Sequence, residues 1–202
     1  MENITSVLSG MAFGLSLIIA IGPQNIFVLK QGLSRKHVGV VVLICVISDS
    51  VLIALGAGGM GAALRAHPGL IEIVRYSGTI FLIVYGAVAL IRAIKPHDKN
   101  IIRTAKPHSL SKVIMTCLAF TWLNPHVYID TALLLGTAAN TPGQNTLVFA
   151  IGAISGSIIW FTGLGYGARF LTPLFTKPKA GRVLDFLVSG LMFSVAVVLL
   201  VG

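Results

Sequence analysis

The chain has 202 residues, of which 55% are hydrophobic and only 10% are charged, and its mean hydropathy is +0.92. A soluble domain carries roughly 25% charged residues, so this composition excludes an ordinary water-exposed surface. The formal net charge of +9 does not indicate nucleic-acid binding, because the basic residues lie in the gaps between apolar stretches. The sequence therefore predicts an all-α integral membrane protein, with the lipid bilayer as its surroundings.

Six apolar stretches follow one another along the chain. Most of them reach the roughly 20 residues that a helix needs to cross a bilayer. Thirteen of the fifteen Lys and Arg residues lie in the odd-numbered gaps or at their edges, and the positive-inside rule places those gaps in the cytoplasm. A chain with six spans and cytoplasmic odd-numbered gaps has both of its termini on the outer side of the membrane. The stretches cover about 5–29, 38–63, 73–94, 113–136, 146–168 and 183–201.

One polar pattern occurs twice. Gly22-Pro23-Gln24-Asn25 interrupts the first apolar stretch and Asn124-Pro125-His126 interrupts the fourth, and an Ile-Ser-x-Ser sequence follows each of them. The pattern predicts a single membrane domain, 1–202, in which three helices are repeated. Because three is odd, the second repeat enters the membrane from the opposite side. Such inverted repeats are typical of transporters with a binding site near the midplane. The predicted parts are repeat one (about 1–94), a basic cytoplasmic linker (95–111) and repeat two (about 112–202).

Each break is expected to supply polar groups at membrane depth. A proline removes one helix hydrogen bond, and the freed carbonyls must bind protein, water or a ligand, because lipid offers no donor. We expect Gly22, Pro23 and Pro125 to act as hinges. The side chains predicted to bind substrate beside these breaks are Gln24, Asn25, Asn124 and His126.

Asp49 and Asp130 are the acidic residues that fall well inside apolar stretches. A charge at that depth is costly and needs a partner, and the sequence places no Lys or Arg at similar depth. The predicted partner is a proton, a metal ion or a cationic substrate. A protonated aspartic acid that joins two helices is the structural alternative. His126 precedes Asp130 by one helical turn, and it could relay a proton or hold the carboxylate in place.

Other residues have narrower interpretations. Trp122 adjoins the second break, where its ring face could contact a cationic group of the substrate. Cys45 and Cys117 are interpreted as small core residues. Two small-residue motifs, Gly10-x-x-x-Gly14 and Gly152-x-x-x-Gly156, predict close helix packing, either within the bundle or between subunits of a homo-oligomer.

A ligand with one anionic end and one or more cationic ends suits two carboxylates beside two helix breaks. A basic amino acid meets that description. The sequence has no nucleotide-binding loop, so transport would draw on ion gradients, and proton antiport is compatible with the acidic residues. The alternative is a divalent-metal exporter or channel that uses Asp49, Asp130 and His126 as ligands. No enzyme motif is present, and we expect neither an enzymatic activity, a cofactor nor a resident metal.

Three segments resemble the LysE family of basic amino acid exporters. They are Ile21–Asn25 with Val28–Gly32, Ile47–Asp49 and Thr121–Thr131. The similarity extends over essentially the whole chain. It implies a multi-pass exporter of lysine or arginine in a bacterial inner membrane, with Asp49 and Asp130 as its essential acidic residues.

Overall fold

A computed structural model describes residues 2–20, 22–59, 66–94, 109–131, 136–139, 141, 145–176 and 178–201. These residues form helices and short connections, and no strand occurs among them. The α-helices are α1 (Glu2–Ile18), α2 (Pro23–Ser34), α3 (Val38–Ala57), α4 (Pro68–Ile94), α5 (Leu110–Trp122), α6 (Pro125–Tyr128), α7 (Gly136–Ala139), α8 (Thr146–Gly167) and α9 (Pro178–Val201), and a 3₁₀ helix at Ala168–Thr176 joins α8 to the segment before α9.

The predicted break at Pro23 is present. Pro23 is the first residue of α2, a position where its missing N–H is not needed, and α2 turns away from α1 by 86°. Four helical segments (38–57, 69–94, 146–173 and 181–201) are long and apolar enough to cross a membrane. The bent pair α1–α2 makes a fifth if it counts as one span.

The predicted break at Pro125 is also present, and it divides the fourth apolar stretch into short pieces. α5 has 13 residues and ends at Trp122, and α6 begins at Pro125. The side chain of Asn124 accepts a hydrogen bond from the His126 N–H at 3.1 Å and so caps α6. A π-helical turn follows at 129–131. The described residues therefore contain no continuous sixth span, because the helix ends where proline removes its hydrogen bond.

The two small-residue motifs pack against each other. A Cβ atom added at Gly10 would meet the carbonyl of Phe149, and one added at Gly152 would meet the carbonyl of Val7. Gly14 lies against Ala153 in the same way. The backbones of α1 and α8 thus approach closely. These motifs were predicted to pack either within the bundle or between subunits, and in the structure they pack two helices of one chain together.

The main core lies where α2, α3, α5 and α8 meet α4 and α9. Phe120 of α5 contacts three other rings there, those of Phe27, Phe81 and Tyr85, at centroid distances of 5.5, 4.9 and 4.8 Å. Cys45 and Cys117 are buried free thiols in this core, as the sequence predicts. The predicted basic linker falls outside the described residues as far as residue 108.

Candidate functional site

Asp49 lies at the contact between the two halves of the chain. It belongs to α3 and is 9% exposed. The Ser157 hydroxyl on α8 donates a hydrogen bond of 2.7 Å to Asp49 Oδ2. No Lys or Arg side chain contacts this carboxylate within the part of the chain that the structure describes. Asp49 therefore retains acceptor capacity for a cationic group in a place where an unpaired charge is costly.

The second helix break is tied to the Asp49 region through Trp122. Its indole Nε1 donates to Ser48 Oγ at 3.2 Å, and its carbonyl accepts from the Tyr128 hydroxyl at 2.8 Å. Ser48 directly precedes Asp49 in α3. The end of α5 and the start of α6 are thus held against the turn of α3 that carries the acid. The predicted contact of Trp122 with a substrate cation is not tested by this geometry.

The side chain of Asn25 stabilises the first break through three hydrogen bonds. Its side-chain amide donates to the carbonyls of Ile18 and Ala20, at 2.7 and 2.8 Å, and these carbonyls lie where α1 ends. Its side-chain oxygen accepts a bond of 3.2 Å from Trp160 Nε1 on α8. The side chain that we predicted to bind substrate is therefore engaged by protein groups, and it fixes the bend of the chain against the second half.

Gln24 is placed differently. Its Nε2 atom is buried and has no hydrogen-bond partner among the described residues. The Gln24 side chain lies beside the Cys45 thiol, near enough for a weak hydrogen-bond interaction with the sulfur, and Asp49, one turn further along α3, acts on the same thiol through its charge. Gln24 and Asp49 thus flank the same thiol. An unsatisfied amide at this position can donate to an oxygen of a bound ligand.

The second break holds Pro125, which is buried, and His126, which is exposed. Asp130 is half-buried in the π-helical turn and interacts with His126, as the spacing of four residues predicts. Among the described residues, the partner of Asp130 is His126 and that of Asp49 is Ser157. The two acids that sequence reasoning grouped together therefore occupy separate places in this conformation, one in the helical core and one at an irregular turn of a kind often found at functional sites.

Three features of the site were missed or misplaced by the sequence interpretation. Ser157 and Trp160 were not predicted, although Ser157 belongs to the repeated Ile-Ser-x-Ser sequence that could have identified it. Asp185 was not selected either, because only Asp49 and Asp130 were placed well inside apolar stretches. It lies two turns into α9, is 8% exposed, and forms an ion pair with Lys30. The sequence interpretation gave Lys30 no partner, and the structure supplies one because α2 and α9 pack closely enough to form the pair.

The described residues contain no group of three or more His, Cys, Asp and Glu side chains that could hold a metal ion together. Asp49 has a hydroxyl as its neighbour, and His126 is exposed on another segment. This arrangement gives no support to the alternative of a divalent-metal exporter.

Comparison with known proteins identifies the family. Residues 15–202 match the family model described as LysE type translocator. A Mycobacterium tuberculosis protein named "Putative amino-acid transporter" is 44% identical over 187 residues, which cover 93% of this chain and 92% of that protein. Proteins named arginine exporter protein ArgO from Yersinia enterocolitica and Klebsiella pneumoniae are 37% and 38% identical, over 94% and 95% of this chain and 93% and 92% of their own lengths.

No solved structure matches the chain. The family match and the relatives both extend over nearly the whole sequence, and the structure supplies the apolar helices that a membrane protein needs. This chain belongs to the LysE family of translocators, and it is a multi-pass transport protein of the bacterial inner membrane rather than an enzyme.

Proposed function

We propose that the chain exports L-arginine and L-lysine by secondary active transport, and that Asp49 receives the cationic side chain of the substrate. The observation that carries this proposal is the environment of Asp49. Its carboxylate is buried, is held by the Ser157 hydroxyl, and contacts no fixed cation among the described residues. A guanidinium or ammonium group would supply the missing charge. The arginine exporters named above support the same substrate class.

The first break offers a place for the substrate carboxylate. α2 begins at Pro23, and its N-cap residue is Gly22, which has no side chain that could cap the helix. The start of a helix carries a partial positive charge and free N–H groups. The buried Nε2 of Gln24 adds a donor without a partner in the described chain. Because Gln24 and Asp49 flank Cys45, an amino acid could contact both with its opposite ends.

The packing of the helices supports the proposed inverted repeat. In this repeat, α1–α2 corresponds to α5–α6, α3 to α8 and α4 to α9. A two-fold axis that relates the halves should then map each contact between two helices onto a contact between the two corresponding helices. The most extensive contacts obey this rule. α3 packs on α8 and α4 on α9, while the pairing of α1 with α8 has its counterpart in the pairing of α5 with α3. In this proposal the breaks at Pro23 and Pro125 are the paired hinges of alternating access.

Export of a cation from a cell with a negative interior requires an energy source. Moving one elementary charge against 100 mV costs about 2.3 kcal/mol. A proton that moves inward for each substrate molecule would offset this cost. Asp49 and Asp130 are the candidate carriers of that proton, since each is an acid in an apolar stretch.

Counterflow in proteoliposomes tests this function. Vesicles that contain the purified protein are loaded with unlabelled L-arginine, L-lysine or L-leucine, and uptake of labelled arginine is measured with and without a pH gradient. We expect arginine and lysine, but not leucine, to drive accumulation of label. A gradient that changes the accumulated amount supports a coupled proton. Equal accumulation with leucine would refute the proposed substrate class, and competition by a divalent cation would favour the metal alternative.

A further inference from the structure

A second group of charged side chains lies where α2, α4 and α9 meet, separate from Asp49. Lys30 Nζ and Asp185 Oδ1 are 2.5 Å apart, and their side chains are only 18% and 12% exposed. The pair joins the first half of the chain to the second half. Arg92 of α4 lies close enough to interact electrostatically with Lys30. We call Lys30, Arg92 and Asp185 the charged triad.

Arg92 is the member of the charged triad with unused hydrogen-bonding capacity. Its Nε and Nη2 atoms are buried and have no acceptor within the described part of the chain, and its guanidinium lies 6.0 Å from the ring centre of Tyr85. Arg75, in the same helix, provides the contrast. It donates to the carbonyls of Leu199 and Leu200 and so caps the end of α9. A buried donor without an acceptor is costly, so Arg92 is suited to accept an anionic ligand.

The charges of the triad complement the backbone end of an amino acid. The triad contains two cations and one carboxylate, and that carboxylate, Asp185, is already engaged by Lys30. A carboxylate ligand can form two parallel hydrogen bonds with the fork of a guanidinium. An ammonium group of the same ligand can replace Lys30 as the partner of Asp185. A zwitterion thus matches both signs of charge present in the triad.

The position of the triad relates it to the transport path. α2 and α4 end in the first and third gaps, and α9 follows the fifth, which the basic-residue bias places on the cytoplasmic side. Lys30 follows Asn25 by five residues in α2, which is about 7.5 Å along the helix axis. The triad therefore lies between the cytoplasm and the first break, where an exported molecule would arrive.

We propose that Arg92, Lys30 and Asp185 form a recognition site for the α-carboxylate and α-ammonium groups of the amino acid that enters from the cytoplasm. The entering zwitterion exchanges partners with the Lys30–Asp185 ion pair. Because that pair joins the two halves, its opening frees α2 from α9. The inference rests on the proposed export of basic amino acids and adds a second recognition step to it.

Binding of two ligands that differ only in the carboxylate tests the site. The probes are L-arginine and agmatine, which is arginine without its carboxyl group, and binding to purified protein is measured for the wild type and Arg92→Gln. We expect Arg92→Gln to weaken arginine binding about tenfold or more, the effect of losing a hydrogen bond between charged groups. Agmatine binding should stay within about twofold of wild type. Arg75→Gln is the matched control and should not alter the preference for arginine over agmatine.

Arg92→Lys provides a second measurement if Arg92→Gln does not assemble. It keeps the charge and loses the planar fork, so an intermediate preference for arginine supports the site. A variant at Arg92 that is well assembled and keeps the full wild-type preference overturns the inference. If the wild type binds neither probe, the proposed function fails and this inference with it.

Discussion

The Ser157 hydroxyl donates a hydrogen bond of 2.7 Å to Asp49, and the two residues lie 108 positions apart. The bond connects α3 of the first half to α8 of the second half. It therefore sets the direction of the one carboxylate that is both buried and without a cationic neighbour in the described structure. This contact makes Asp49 the centre of the candidate site and Ser157 its positioning residue.

Asp49→Asn should reduce export of arginine to background while the amount of protein in the membrane stays near that of the wild type. The substitution keeps the volume of the side chain and a hydrogen-bond acceptor for Ser157, but removes the charge that a cationic substrate needs. Initial-rate efflux from loaded vesicles, with immunoblots of the same membranes, measures both quantities. Unchanged transport would show that Asp49 joins helices and binds no substrate.

Ser157→Ala should weaken transport about tenfold, because a hydrogen bond to a charged group contributes about 1.5–3 kcal/mol. Ser155→Ala is the matched control, since Ser155 is only partly buried and its hydroxyl donates to the Ile151 carbonyl of its own helix at 2.8 Å. The concentration of arginine that gives half-maximal efflux should rise for Ser157→Ala only. Equal effects of the two changes would refute a special role for Ser157.

Pro125→Ala should slow transport strongly without preventing insertion. Alanine restores the N–H that proline lacks and favours a continuous helix, which would withdraw carbonyls from the break and stiffen the hinge. Pro23→Ala should have the same effect if the two breaks are functionally paired. The measurement is initial-rate efflux normalised to the protein present in the membrane. Full activity of both variants would mean that the prolines are simple kinks.

Gly152→Ala should destabilise the protein by about 1–3 kcal/mol, the usual cost of overpacking. A Cβ atom at this position would collide with the Val7 carbonyl of α1. Gly163→Ala, also in α8, is the control, because its Cβ would meet no atom within 4 Å in the described structure. Thermal unfolding in detergent should show a lower midpoint for Gly152→Ala alone. A similar midpoint for both variants would contradict the close packing of α1 on α8.

Labelling of single cysteines tests the predicted topology. Asn100→Cys lies in the basic linker and should not react, in intact cells, with a thiol reagent that cannot cross membranes. Thr141→Cys lies in the fourth gap, is exposed, and should react. The native Cys45 and Cys117 are buried and should give little background. Labelling at position 100 in intact cells would reverse the orientation inferred from the basic residues.

Much of the architecture could be predicted from local sequence. Apolar stretches of about 20 residues form helices because lipid leaves no other way to satisfy the backbone. Pro23 and Pro125 break those helices because proline lacks an N–H. Asp49 could be selected because an acid in an apolar stretch needs a partner. These inferences depend only on the residues within one segment, so they do not require knowledge of how the segments pack.

The partners of these residues were decided by the tertiary structure. Hydrogen bonds such as Ser157 to Asp49 and Trp160 to Asn25, and the ion pair of Lys30 with Asp185, join positions more than 100 residues apart. No local pattern specifies which helices meet, because that depends on how close two backbones can come. The approach of α1 to α8 through paired glycines brings the halves together. The sequence alone therefore determined a broken-helix membrane protein with a central acid, and helix packing alone determined what surrounds that acid.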